Sequence, residues 1–152
     1  CGNTFGPEAV QRLVELGYKF ARRGEQPEAR YGTLDIGATY DPKRHHPLLI
    51  PTTGDAYPNW TLEHFKSVLA RATNGQIVVL QFHGVPEGEH PWVHTSREQF
   101  EGYMNYLHKH DYQVIAVRDL ARYVDPQAIP ADPMAAIERR TTLRDEQRDD
   151  KK

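Results

Sequence analysis

The chain has 152 residues, enough for one domain with a hydrophobic core but not for two. Its formal net charge of -2 provides no basic field, which excludes nucleic acid as a partner class. No apolar run approaches the roughly 18 residues that a membrane span needs, and one cysteine excludes an internal disulfide framework. Because the first residue is Cys1 and not Met, we expect the chain to begin within a longer one, so the compartment is not indicated.

The first elements along the chain are a predicted helix over residues 7–16 and a short strand over 18–21. Gly17 between them suits a left-handed helix C-cap. Arg22 and Arg23 follow at the carboxyl end of the strand, where a guanidinium can orient a carboxylate through two hydrogen bonds. Arg22 is therefore a candidate substrate-binding residue, and a solvated basic turn is the alternative interpretation.

Residues 25–43 have no sustained period and predict a long loop of the kind that often shapes a binding cleft. His45 and His46 follow. Adjacent side chains point in opposite directions on an extended chain, so these two are poorly placed to hold one metal ion and are interpreted as surface residues. The apolar run from Leu48 to Ile50 predicts a second strand.

A turn cluster from Gly54 to Trp60 leads into a predicted helix with Thr61 as its N-cap. The predicted buried stripe of this helix consists of Leu62, Phe65, Leu69 and Ala72. Asp55 could hydrogen-bond a histidine and keep it protonated, and Trp60 could form the wall of a pocket. The alternatives are that Asp55 stabilises the turn and that Trp60 is a core aromatic.

The next run, Ile77 to Phe82, is apolar apart from one glutamine and predicts a buried parallel strand covered on both faces. It ends in His83 and Gly84. Reacting groups of α/β folds stand at the carboxyl ends of such strands, so His83 is the main candidate for chemistry. A histidine that packs under the following loop is the alternative.

The loop after His83 contains a second tryptophan, Trp92, between His90 and His94. The two histidines have the i, i+4 spacing of helical metal ligands, but Pro91 directly follows the first of them and the next helix cap appears only at Ser96, so the spacing is a weak signal. Ser96 begins a predicted helix with a capping box. The buried face of that helix is predicted to contain Phe100, Tyr103, Met104 and Leu107.

The remainder predicts a buried strand over residues 112–117 and a short helix over 118–124. The alternation of helices and strands indicates an α/β fold for residues 1–125. Residues 126–152 contain three prolines, a possible helical turn over 134–137 and a run of mixed charges. They are interpreted as a charged, partly helical or disordered tail.

Several segments, taken in order, resemble the C-terminal half of the polysaccharide deacetylases, the NodB-homology domain of carbohydrate esterase family four. The segments are Tyr18 to Gly24, Gly54-Asp55, Trp60 to Lys66, Leu80 to Gly84 and Tyr112 to Tyr123. The resemblance covers residues 1–125 and implies part of a distorted (β/α) barrel. It also implies an extracytoplasmic location as one option and a substrate that is an acetylated polysaccharide or oligosaccharide.

The resemblance implies metal-dependent hydrolysis of N- or O-linked acetyl groups, a reaction on carbon-nitrogen bonds other than peptide bonds. His83 matches the family's general acid, and Trp60 matches an aromatic residue that lines the acetyl pocket. Asn59 stands where the family has an aspartate, so the role of tuning the histidine would pass to Asp55. Gln81 replaces a hydrophobic residue, leaving Leu80 or Phe82 to line the pocket.

The family's catalytic base and the ligands of its divalent, zinc-like metal belong to the N-terminal half of the domain, which would precede Cys1. No metal ligand is assigned within this chain, and the chain is expected to be inactive without that half. One alternative is a non-catalytic carbohydrate-binding or partner module that uses Trp60 and Trp92 as sugar platforms. Another is a self-contained metal hydrolase built on His83, His90 and His94.

Overall fold

The computed structural model describes residues 5–137, in which helices accompany one small parallel sheet. The regular elements are α1 (Pro7–Glu15), β1 (Gly54–Asp55), α2 (Leu62–Leu69), β2 (Leu80–Gln81) and α3 (Arg97–Lys109). Short 3-10 helices span Pro47–Leu49, Pro91–Val93 and Val117–Arg122. The predicted mixture of helices and parallel strands is present, and the barrel remains a prediction.

The sheet pairs β1 with β2 in parallel, with Gly54 opposite Leu80 and Asp55 opposite Gln81. The predicted strand over residues 18–21 is reduced to one parallel bridge between Arg22 and Ile50. The prediction that the second strand covers Leu48 to Ile50 is wrong, because the ladder hydrogen bonds to the Ile77–Phe82 run come from later residues. The carboxyl end of β1 is therefore Asp55 itself.

Helix α1 packs through Val10 against Leu48 and Leu49, and Gly17 takes the predicted left-handed conformation with φ of 77°. Ile137 is buried in the same cluster, and its amide donates to the carbonyl of Met134. The predicted turn at 134–137 is thus part of the packed structure rather than of a solvated tail. Residues 138–152, the charged part of the predicted tail, lie outside the described residues.

Helix α2 begins as predicted, because the Thr61 side chain accepts a hydrogen bond from the His64 amide at 3.1 Å. Its buried residues are Phe65, Val68 and Leu69. Leu62 and Ala72 are exposed, which corrects the predicted stripe. The helix ends at Leu69, so Ala72 lies beyond its last turn and cannot share its buried face.

Helix α3 has the predicted capping box, in which Ser96 and Gln99 each bond the other's backbone amide. Tyr103 and Leu107 are buried, and the Tyr103 ring stacks on Phe65 of α2 with centroids 4.6 Å apart. These helices cover one face of the β1–β2 sheet and form the main hydrophobic core with Trp60. The sheet therefore has a packed face and an opposite face.

Three further predictions need correction. The Ile77–Phe82 run was predicted to be a buried strand covered on both faces, but residues 77–82 are only partly buried and β2 spans Leu80–Gln81. Residues 112–116 form no strand among the described residues, and their side chains are largely exposed because no neighbouring strand pairs with them. His45 and His46 are buried rather than on the surface. His45 accepts a hydrogen bond from the Asp41 amide, and His46 accepts one from the Leu48 amide, so both rings stabilise the local turn. None of the helices between residues 5 and 137 combines the length and apolar character required to cross a bilayer.

Candidate functional site

A cleft of about 590 Å³ opens at the carboxyl ends of β1 and β2. Its lining includes Arg22, Glu25, Asp55, Gln81, His83 and Trp92. Clefts in this position, beyond the carboxyl ends of parallel strands, are the usual place for ligands in α/β folds. The predicted catalytic residues His83 and Asp55 therefore meet in one place, together with the predicted binding residues Arg22 and Trp92.

Alternation along the two strands decides which side chains reach this cleft. Side chains two residues apart on a strand point to the same face, so Gln81 and His83 share the cleft face. Leu80 and Phe82 alternate with these residues and pack toward the main core instead. The Phe82 ring meets Phe100 edge-on, with the ring centroids 5.0 Å apart. Leu80 and Phe82 thus do not line the His83 cleft, although Leu80 borders a separate apolar groove of about 490 Å³.

The central contact of the cleft joins His83 to Asp55, with 3.0 Å between Nε2 and Oδ1. Asp55 is 5% exposed, and burial raises the pKa of its carboxyl, while His83, Tyr57 and Arg22 act in the opposite direction. The His83 side chain is 28% exposed, and its Nδ1 makes no hydrogen bond to the described residues. Asp55 therefore orients the ring through one nitrogen and leaves the other available to a bound molecule.

Gln81 makes a second contact with the same histidine nitrogen. Its Nε2 lies 2.9 Å from His83 Nε2, while its Oε1 accepts a hydrogen bond from Arg22 Nη1 and so fixes the orientation of the amide. An amide nitrogen only donates, whereas an ionised carboxylate only accepts. When His83 Nε2 carries a proton, it donates a hydrogen bond to Asp55. When it carries none, it accepts one from Gln81, so both protonation states of this nitrogen have a hydrogen-bond partner.

Glu25 and Tyr57 extend the site, and neither was predicted. The Tyr57 hydroxyl lies 2.8 Å from Glu25 Oε1 and 3.3 Å from Asp55 Oδ2. Burial raises the pKa of Glu25 to about 7, with Asp55 and Asp35 adding to the rise and the Tyr57 bond opposing it. Alternation from Asp55 to Tyr57 could have indicated the tyrosine. Glu25 lies in an aperiodic loop that gave no such signal.

The two adjacent arginines have different roles. Arg22 Nη1 donates to Thr52 Oγ1 at 2.7 Å and to Gln81, and its guanidinium borders the cleft. Arg23 is buried in an ion pair with Glu28 and also donates to the carbonyl of Gln26. The alternative of a solvated basic turn is therefore wrong for Arg23, whose buried charge is paired and hydrogen-bonded as a buried charge requires.

The two tryptophans lie in different environments. Trp60 is 3% exposed and belongs to the main core, which corresponds to the alternative interpretation of that residue. Trp92 is 57% exposed and borders the cleft, with its ring 5.2 Å from that of His90. Its loop is closed at the base by a bridge between Gly84 and His94. The indole that His83 shares its cleft with is therefore Trp92.

The described residues do not provide a metal centre. No group of three or more His, Cys, Asp or Glu side chains within residues 5–137 is arranged to hold a metal ion. His94 Nδ1 contacts the backbone of Glu87, and His90 contacts the Glu87 carboxylate, so each of these rings already has a partner within its own loop. The metal hydrolase built on His83, His90 and His94 is therefore not supported. The residues present do not fit the metal that the family resemblance implies, and we derive no step through it.

The resemblance to polysaccharide deacetylases depends on the order of short motifs. No protein-family model matches this chain, and no curated protein or solved structure matches it either. Family membership therefore remains a prediction, and the function is argued below from the geometry of the cleft.

Proposed function

We propose that this chain contributes to the hydrolytic removal of acetyl groups from an N- or O-acetylated polysaccharide, with His83 as the general acid. The observation that carries the proposal is the contact between His83 and Asp55 at the mouth of the cleft. A histidine oriented by a buried carboxylate, with its second nitrogen available to substrate, is the arrangement that acid-base catalysis of acyl transfer uses.

In the proposed reaction the protonated His83 ring keeps its Nε2 proton, which it donates in a hydrogen bond to Asp55 Oδ1, and transfers its Nδ1 proton to the departing nitrogen or oxygen of the sugar. Water first adds to the acyl carbon, and its oxygen stays there in the acetate that is released. The bond from that carbon to the sugar nitrogen or oxygen breaks as the His83 proton arrives, so the sugar leaves as a neutral amine or alcohol. The Asp55 carboxylate stabilises the positively charged ring before the transfer. General acid catalysis of this kind contributes about 10² to 10⁴ in rate.

Other cleft residues would bind and orient the sugar. The exposed indole of Trp92 offers a flat apolar face on which a sugar ring can stack. Arg22 holds Gln81, which in turn limits rotation of the His83 ring. The described residues supply the acid and one wall of the site but not a set of ligands for the metal that the resemblance implies. We therefore expect this polypeptide alone to show no turnover.

The proposal is tested by acetate release from acetylated chito-oligosaccharides, using protein that includes the coding sequence upstream of Cys1. His83→Gln should lower kcat about 100-fold or more. His108→Gln, which alters an exposed histidine on α3, is the matched control and should leave kcat unchanged. Full activity in the His83 variant would reject the assigned acid. Acetate release by the 152-residue chain alone would contradict its expected dependence on upstream residues.

A non-catalytic carbohydrate-binding module is a second candidate, favoured by the exposure of Trp92 beside the cleft. It predicts glycan binding without turnover even when the upstream sequence is present. Isothermal titration with chito-oligosaccharides should then show binding that Trp92→Ala abolishes and His83→Gln preserves. Loss of turnover with retained binding in the His83 variant would instead favour the deacetylase.

A further inference from the structure

We propose that Glu25 is a positioning residue of the His83 site, which acts through the Tyr57 hydroxyl to set the hydrogen bonding of Asp55 and so the protonation of His83. The catalytic consequence of this inference rests on the proposed function. The coupling among the four side chains does not, because it follows from the contacts that they make with one another.

The Tyr57 hydroxyl carries one hydrogen but has two carboxyl groups as neighbours. A phenol has one proton to donate, yet its oxygen lies within hydrogen-bond distance of Glu25 and Asp55. Both contacts can be hydrogen bonds only if one carboxyl group also carries a proton and donates it to the phenol oxygen. With Glu25 protonated, Glu25 donates to Tyr57, Tyr57 donates to Asp55 Oδ2, and Asp55 Oδ1 remains free to accept from His83.

The surroundings of Glu25 favour its protonated form. The residue is 5% exposed, and the charged groups acting on it, Asp55 and Asp35, are both acidic. The neighbouring Arg23 does not compensate, because its charge is paired with Glu28. On the Asp55 side the facing groups are His83, Tyr57 and Arg22. A carboxyl that is buried among acids retains its proton to higher pH, consistent with the raised pKa of about 7.

Ionisation of Glu25 would redirect the single phenolic proton. The Glu25 carboxylate lies closer to the Tyr57 oxygen than Asp55 does, at 2.8 Å against 3.3 Å, so it would attract that proton. Asp55 would then lose a donor and gain a negative neighbour, and both changes make the His83–Asp55 pair hold its proton more tightly. Glu25 therefore adjusts the proton affinity of the His83–Asp55 pair through the Tyr57 hydroxyl.

The coupling is tested by NMR titration of the 152-residue chain with ¹³C-labelled glutamate side chains. We expect one carboxyl signal to titrate with a midpoint of about 7, and this signal should be absent in Glu25→Gln. It should remain in the control Glu63→Gln, which removes an exposed carboxylate on α2. Because Asp55 raises the pKa of Glu25 and Tyr57 lowers it, Asp55→Asn should lower the midpoint and Tyr57→Phe should raise it.

The His83 ring signals supply the second readout. Glu25→Gln mimics the protonated residue, so the chemical shifts of the His83 ring should match those of wild type at pH 5 and differ from them above about pH 7, where wild-type Glu25 is ionised. A Glu25 midpoint that is unchanged in both the Asp55 and Tyr57 variants would overturn the coupling. If the NMR shifts occur but no deacetylation is found with the upstream sequence present, the proposed function fails and the coupling stands.

Discussion

The two faces of the β1–β2 sheet differ in what their side chains contact. On one face Leu80 and Phe82 pack with Trp60 and α2 in the main hydrophobic core. On the other, Asp55, Gln81 and His83 border an open cleft. Adjacent residues of one short strand thus serve opposite purposes, because successive side chains alternate between the faces.

The energetic consequences of the two faces also differ. Burial of apolar side chains on the core face stabilises the fold. The cleft face buries Glu25 and Asp55, whose raised pKa values show that their ionised forms are destabilised by burial. Functional sites commonly carry such destabilising groups at the expense of stability. Substitutions on the two faces should therefore change stability in opposite directions.

The largest expected effect separates the two tryptophans. Trp60→Ala removes a large core side chain and should lower the free energy of unfolding by about 3 to 5 kcal/mol. Trp92→Ala removes an exposed side chain and should change it by less than about 0.5 kcal/mol. Urea denaturation of both variants measures the difference. Equal destabilisation by the two variants would contradict the assignment of Trp60 to the core and Trp92 to the cleft.

A single methyl group added on the core face should also destabilise the fold. A Cβ on Gly54 would stand 2.7 Å from Trp60 Cη2 and 2.8 Å from Val68 Cγ1. We expect Gly54→Ala to destabilise by about 1 to 3 kcal/mol through overpacking. Gly88→Ala is the matched control in the loop beyond β2, where an added Cβ meets nothing within 4 Å. Thermal denaturation should show a lower Tm for the first variant only.

On the cleft face, replacing a buried acidic residue is expected to raise the free energy of unfolding rather than lower it. The folded state holds the Glu25 proton up to about pH 7, whereas an ordinary glutamate releases it near 4.5. The free energy of unfolding of wild type should therefore fall as pH rises through that window. Glu25→Gln cannot ionise and should be more stable than wild type at pH 8 by about 1 to 2 kcal/mol, after allowance for solvent screening in the open cleft. Urea denaturation at pH 4 and pH 8 measures this; a variant less stable than wild type at pH 8 would contradict it.

Features that depend on local sequence were predictable. The N-cap at Thr61 and the capping box at Ser96 are confirmed, because such caps need only residues within one helical turn. Gly17 likewise ends α1 as predicted. The pairing of His83 with Asp55 was also anticipated, since both residues follow apolar runs that were expected to end at the same edge of a parallel sheet.

Features that depend on distant parts of the chain were not predictable from the same patterns. The start of β1 is set by hydrogen bonds to the β2 segment, which the sequence of the first segment does not encode by itself. The burial of His45 and His46 depends on backbone amides that their rings cap. Glu25 reaches the cleft only because its loop folds over Tyr57. Gln81 appeared in the sequence merely as a departure from a family pattern, and its contact with His83 explains the polar residue.

The bridge between Gly84 and His94 has a consequence for how Trp92 would meet a sugar. Because the base of the loop is held by backbone pairing and by the contact between His94 and Glu87, the backbone that carries the indole is in place before any ligand arrives. Less loop ordering is then required on association, so a modest stacking surface can give useful affinity. A change that breaks the Gly84–His94 pairing or the His94–Glu87 contact should weaken sugar affinity even though the indole itself is unchanged.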